Sequence, residues 1–241
     1  AAERYDRGGL IGFHWFGTTL EQELIGRSGG LMHIGFDRPW KEKKLRTDEE
    51  KAQDIAVLAW DSDPKPNELK RLQNIKDSGQ YLLGFGSKRN PNLTEHIKLC
   101  DSWVDSDTEA KDLSPGKINH VMNAVSGWVW MAEFIAAHTR KGRMPPVWKS
   151  WVMKDGRAWS DRFFRKTKYH KEFSVSPIKE GVLGKEYLHR IRSQLSALEN
   201  TQSPLIHQFA KTIADEKRAG RRTLVASSGH MVMNYVGKFS D

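Results

Sequence analysis

With 241 residues, 38% of them hydrophobic, the chain has enough apolar side chains for a globular core and lacks the composition of a disordered segment. A single cysteine, Cys100, excludes an internal disulfide and a cysteine-based zinc site, and no apolar run approaches the ~18 residues of a membrane-spanning helix. The net charge of +9 gathers between Arg140 and Lys171, which admits an anionic partner but is expected to be a solvated basic surface.

Gly8 and Gly9 precede an apolar run at residues 10–15, read as a short strand. Gly17, Thr18 and Thr19 then lead into a helix over residues 20–25 that stops at Gly29 and Gly30. Backbone N–H groups and the two hydroxyls at that helix start suit an anion, although threonine before a helix is also an ordinary cap. Residues 31–36 read as the next strand, and residues 37–46 are polar and irregular. Thr47-Asp48-Glu49-Glu50 is a capping box, with Thr47 as cap and Glu50 three residues on.

The run Ile55-Ala56-Val57-Leu58-Ala59-Trp60 has no polar alternation, as expected of a strand covered on both faces. Pro64 and Pro66 keep residues 61–67 out of a helix. Leu69, Leu72 and Ile75 then fall on one face of a helix that Gly79 ends, and residues 81–86 form another apolar strand. This β-α-β unit crosses over right-handed, so its strands are parallel and adjacent. Ligands of such sheets sit at the carboxyl ends of strands, which points to loops 61–67 and 86–92. A short helix over residues 92–99 and an edge strand over 102–105 follow, with Cys100 as a packing residue between them. The expected fold is therefore α/β, a doubly wound and mainly parallel five-stranded sheet of flavodoxin-like size.

The helix expected over residues 117–141 is apolar around much of its circumference, which predicts cover from the sheet and from another subunit or domain. Glu133 within it reads as a rim carboxylate or a site acid. Pro145 and Pro146 make the next stretch extended. Residues 151–173 interleave Trp159, Phe163, Phe164 and Tyr169 with Lys and Arg, a pattern that stacks on single-stranded nucleic acid. The helical spacing of those aromatics favours packing on a core instead, and nucleic acid is not the expected partner. Beyond them come an amphipathic helix over 186–198 and a second helix that opens at Ser203-Pro204. A strand at 223–226 and a loop at 227–230 complete a partial second α/β unit. A lone strand needs partners, so this tail is expected to join the first sheet or another chain. The organisation is then residues 1–150, a basic aromatic connector at 151–185, and the tail at 186–241. Ala1-Ala2-Glu3 is not a translation start, so the expected compartment is the cytoplasm by default, or an exported location if a leader was cleaved.

The tail YLHRIRSQLSALENTQSPLIHQFAKTIADEKRAGRRTLVASSGHMVMNYV (187–236) resembles the opening of SIS-domain (sugar isomerase) proteins, a helix pair running into a strand and a Gly-Ser/Thr-Gly-His-Ser type loop. The segment GKINHVMNAVSGWVWMAEFIAAHTRKGRMPPVWKS (116–150) is similar to the closing helix and Pro-Pro-Val segment of a subset of that family, and residues 8–105 are similar in strand order. The resemblance implies a sugar-phosphate isomerase or sugar-phosphate-binding protein with no metal or cofactor. It places phosphate on Thr18, Thr19, Ser62 and Ser87, with Ser227 and Ser228 from the tail, and makes Glu68, His120 and His230 the candidates for proton transfer. A homodimer through helix 117–141 and the tail is expected as well, because that helix has more apolar surface than one sheet face covers and the tail strand lacks partners. Where the family's phosphosugar binders carry hydroxyls, residues 61–67 carry Asp61 and Asp63, which repel phosphate. That departure supports the alternative of a non-catalytic, degenerate SIS module acting in dimerisation or regulation.

Overall fold

The computed structural model describes residues 1–14, 16, 20–36, 47–108 and 115–222. The chain divides into two compact units, Ala1–Leu188 and His189–Asp241. The first is a three-layer α/β domain. In chain order it holds α1 (Ala2–Asp6), β1 (Ile11–Phe13), α2 (Leu20–Leu24), β2 (Ile34–Phe36), α3 (Asp48–Lys51), β3 (Ile55–Ala59), α4 (Glu68–Asp77), β4 (Tyr81–Gly86), α5 (Thr94–Leu99) and β5 (Ser102–Asp105). Then follow α6 (Pro115–Thr139), α7 (Gly156–Phe163) and the start of α8 (Val182–Arg218).

All five strands are parallel, in the order β2-β1-β3-β4-β5. Every residue of β3 is buried, because helices cover both faces of the sheet. The period of two along the strands sorts the core. Ile11, Phe13, Ile55, Val57, Ala59, Leu83 and Phe85 meet Leu20 and Leu24 of α2 and Met131 and Phe134 of α6 on one face. Ala56, Leu58, Trp60 and Leu82 meet Leu72 and Ile75 of α4, with Leu93 and Ile97 beside them, on the other. Leu72 is fully buried, so truncating it to alanine costs about 2–5 kcal/mol. Two glycines let these layers close. A Cβ at Gly84 would stand 2.4 Å from the Trp103 ring, and one at Gly127 would stand 2.7 Å from Leu24.

The capping box at Thr47 forms as its sequence requires: Thr47 N donates to Glu50 Oε2 at 2.9 Å and Glu50 N to Thr47 Oγ1 at 3.2 Å. Cys100 packs beside Trp103, and burial pushes its thiol up to about 12. Strand β2 is shorter than residues 31–36 because Leu31 pairs elsewhere. It bridges antiparallel to Val147, while Met32 N donates to Pro146 O and Trp148 N to Gly30 O. The extended Pro-Pro segment thus claims the backbone ahead of β2.

α6 runs opposite to the strands. Its first turns stand over the carboxyl end of β3, and its last turn meets α1. The sheet and α2 cover one side of it, and Gly184 of α8 lies against Val129 and Glu133, while Val121 is 58% exposed. Glu133 has a structural role as a cap. Its two oxygens each accept an N–H, from Gly181 and Gly184, at 2.8 Å, and so cap the N-terminus of α8. In the connector, Trp148 packs on Phe164, and Trp159, Phe163 and His170 pack on one another.

The second unit, in its described part, is the remainder of α8. Residues 182–218 form one helix rather than two, with Pro204 inside it. Ser203-Pro204 carries a helix-start signature, yet the helix runs through it with one backbone N–H missing. The strand expected at 223–226 and the loop at 227–230 lie outside the described residues. Among the described residues no helix is long and apolar enough to cross a membrane.

Candidate functional site

In an open parallel sheet a crevice forms where neighbouring strands send their following helices to opposite faces. Here that place lies between β1 and β3: α2 packs on the α6 face, and α4 on the other. Asp61 stands at its rim, one residue beyond the point where Trp60 N donates to Phe85 O and ends the ladder.

Three side chains of α6 converge on Asp61. Asn123 Nδ2 donates to Asp61 Oδ1 at 2.8 Å and to the Trp60 carbonyl at 3.0 Å. Asn119 Nδ2 donates to the Asp61 carbonyl at 3.1 Å, and Thr108 Oγ1 donates to Asn119 Oδ1. His120 Nδ1 lies 3.3 Å from Asp61 Oδ2, with both side chains 14% exposed. Asn119 and Asn123 stand one helical turn apart, so their amides hold the aspartate from the same helix face that presents the imidazole. Asn123 Oδ1 is buried and accepts no hydrogen bond among the described residues.

The surrounding charge is negative. Glu21 of α2 is buried, and burial raises its carboxyl, with the Asp61 charge adding to the effect. His120 is raised above its ordinary value by the hydrogen bond to Asp61, which outweighs its burial, and by the charges of Asp61, Glu23 and Glu21. The crevice therefore offers the His120 imidazole and carboxylate acceptors, an environment suited to donating hydroxyl groups and to proton exchange. Among the described residues no group of three or more His, Cys, Asp or Glu is arranged to hold a metal ion.

The other sequence-derived candidates divide. Glu68 is buried as a brace: its Oε2 accepts Trp60 Nε1 and Lys65 N, each at 3.1 Å, which fixes the bend of loop 61–67. Ser62 is exposed on that loop. Asp63 accepts from Asn90 Nδ2 at 2.9 Å, so it ties the β3 loop to the β4 loop. Ser87 is buried at the end of β4, where its hydroxyl accepts Arg89 N at 3.2 Å within its own turn. Thr18, Thr19, Ser227, Ser228 and His230 lie outside the described residues. Of the described candidates named from sequence, His120 stands at the crevice, beside Asp61 and near the charges of Glu21 and Glu23. Glu21, Asn119 and Asn123 escaped the sequence reading, although the two asparagines are polar breaks beside His120 in a largely apolar helix. No family model matches the chain, and no curated protein matches it either.

Proposed function

We propose that the first unit binds a sugar phosphate across the carboxyl edge of its sheet and isomerises it through the Asp61–His120 pair. The observation that carries this reading is the convergence of Asp61, His120, Asn119, Asn123 and Glu21 on the crevice between β1 and β3. Carboxylates repel phosphate but accept hydrogen bonds from sugar hydroxyls, so the polyol end belongs at Asp61 and Glu21. The phosphate belongs further along the edge, over Ser62 and Ser87, where Lys65 and Lys88 are exposed. The resemblance adds Thr18 and Thr19, which lie outside the described residues, to the groups that would hold it.

Aldose–ketose exchange moves one proton from the hydroxyl-bearing carbon to the neighbouring carbonyl carbon while the hydroxyl proton passes to the former carbonyl oxygen, and a single base serves both halves of the carbon-to-carbon transfer. Asp61 Oδ2 lies beside His120 Nδ1 and orients the imidazole that serves as the base. Isothermal calorimetry with hexose, heptose and amino-sugar phosphates tests the reading, together with an assay of ketose formation. Binding that is lost in Thr18→Val/Thr19→Val, and isomerisation that is lost in His120→Gln, support it. Binding without turnover supports the second reading, a degenerate module, which the use of Glu68 as a brace for Trp60 and Lys65 favours. No binding by any phosphorylated sugar contradicts both.

A further inference from the structure

The continuity of α8 through Pro204 joins two amphipathic segments into one stripe. Leu188, Ile191, Leu195, Leu198, Gln202, Leu205, Phe209 and Thr212 follow at alternating spacings of three and four, the a and d positions of successive heptads. Four of them, Leu195, Leu198, Leu205 and Phe209, are 52–67% exposed, and no other element accompanies the helix among the described residues of its unit. An isolated helix with such a face is marginal in water, and a row of large apolar side chains at coiled-coil spacing requires a second helix. Pro204 falls at an outer position, where it leaves the stripe uninterrupted.

We propose that two copies of the chain pair through α8 as an antiparallel two-helix coiled coil centred between Leu195 and Leu198. Charge complementarity selects the partner and the direction. The e positions that flank the stripe carry Arg192 and Glu199, both exposed and without an ion pair among the described residues. The g positions carry the uncharged Gln194, Thr201 and Gln208. A parallel pair sets g against e and brings no opposite charges together. An antiparallel pair sets e against e, and one register matches Arg192 with Glu199 of the second copy twice over. That register also opposes Leu195 to Leu198 at the centre and Leu188 to Leu205 at the ends, while Gln202 meets Ile191. Shifting it by one heptad in either direction sets Arg192 on Arg192 or Glu199 on Glu199. A single polar residue at an a position, as at Gln202, is a known device for fixing register.

The test is sedimentation equilibrium on the full chain, with near-ultraviolet circular dichroism as a check on the first unit. The unaltered chain is expected to dimerise, and Leu195→Asp/Leu198→Asp to be monomeric with an unchanged near-ultraviolet spectrum. Arg192→Glu and Glu199→Arg each turn two attractive contacts repulsive and are expected to weaken the dimer about tenfold, while the double exchange restores it. A monomeric unaltered chain overturns the proposal, because its stripe is then covered by another protein or by its own residues. A dimer indifferent to both single reversals overturns the antiparallel register. A dimer that survives the two aspartates places the interface elsewhere and overturns the proposal as well.

Discussion

α6 carries two Asp–His pairs on one face, about five turns apart. At its last turn His138 Nδ1 lies 3.4 Å from Asp6, and near its start His120 Nδ1 lies 3.3 Å from Asp61. The pairs look alike and titrate in opposite directions. His138 is wholly buried among Tyr5, Phe134 and Tyr169, and the Asp6 charge it would need is already shared with Lys141, Arg143 and the Tyr169 hydroxyl. Burial therefore dominates, and His138 falls to about 4. His120 reaches solvent and faces carboxylates rather than cations, so it rises. An Asp–His pair is thus a pin or a proton-exchange group according to what surrounds it. The pair at α1 fastens the N-terminal helix to the end of α6, and the pair at the carboxyl edge is the one to which we assign proton exchange as a proposal.

The largest expected contrast is in stability. Asp6→Asn strips Lys141, Arg143 and His138 of their shared anion and is expected to cost about 2–3 kcal/mol in urea unfolding. Asp61→Asn retains an acceptor for Asn123 and is expected to cost under about 1 kcal/mol. Equal losses would erase the distinction between pin and site.

Acid sharpens the same contrast. His138 has its folded value below its unfolded one, so the unfolded chain binds more protons between about 6.5 and about 4. Stability is expected to fall through that window as pH drops, by up to ~1.4 kcal/mol per pH unit. For Asp6, burial opposes ionisation, but the hydrogen bonds from Lys141 and Tyr169 and the nearby cations outweigh it and bring the carboxyl to about 2. Its contribution is present above its unfolded value and is lost as pH falls towards about 2. His138→Phe is expected to flatten the upper part of this acid limb. His120, raised in the fold, works the other way: its contribution is present below its ordinary value and is lost as pH rises through the raised one. A His138→Phe chain with an unchanged acid limb would assign the limb to other groups.

A smaller effect separates both pairs from the third polar device on α6. Glu133→Gln weakens the two charge-assisted bonds that cap α8, with an expected loss of about 1 kcal/mol and fraying of its first turn in hydrogen exchange. No effect on sugar-phosphate binding is expected from that change.

Much of the frame is legible in the sequence because it depends on local signals. The unbroken apolar runs of β3 and β4, the capping box at Thr47 and the stop at Gly79 each announce an element within a few residues. The parallel five-stranded sheet follows from their repetition. What sequence hides depends on distant partners. Asp6 and His138 meet across most of the domain, and Glu133 caps a helix that begins some fifty residues later. Glu68 has the position of a site acid in sequence, yet the Trp60 indole eight residues earlier claims its carboxylate. Ser203-Pro204 shows the converse, a strong local start signal that the helix runs through.

The most direct test follows both histidines at once, by titrating the ring resonances of His120 and His138 in the full chain with and without a sugar phosphate. The expected result is a His120 value above the ordinary 6.5 that drops in Asp61→Asn, a His138 value near 4, and ligand-induced shifts at His120 alone. Ligand-induced shifts at His138 with none at His120, or a His120 value unmoved by Asp61→Asn, would contradict the assignment of the carboxyl-edge pair as the site.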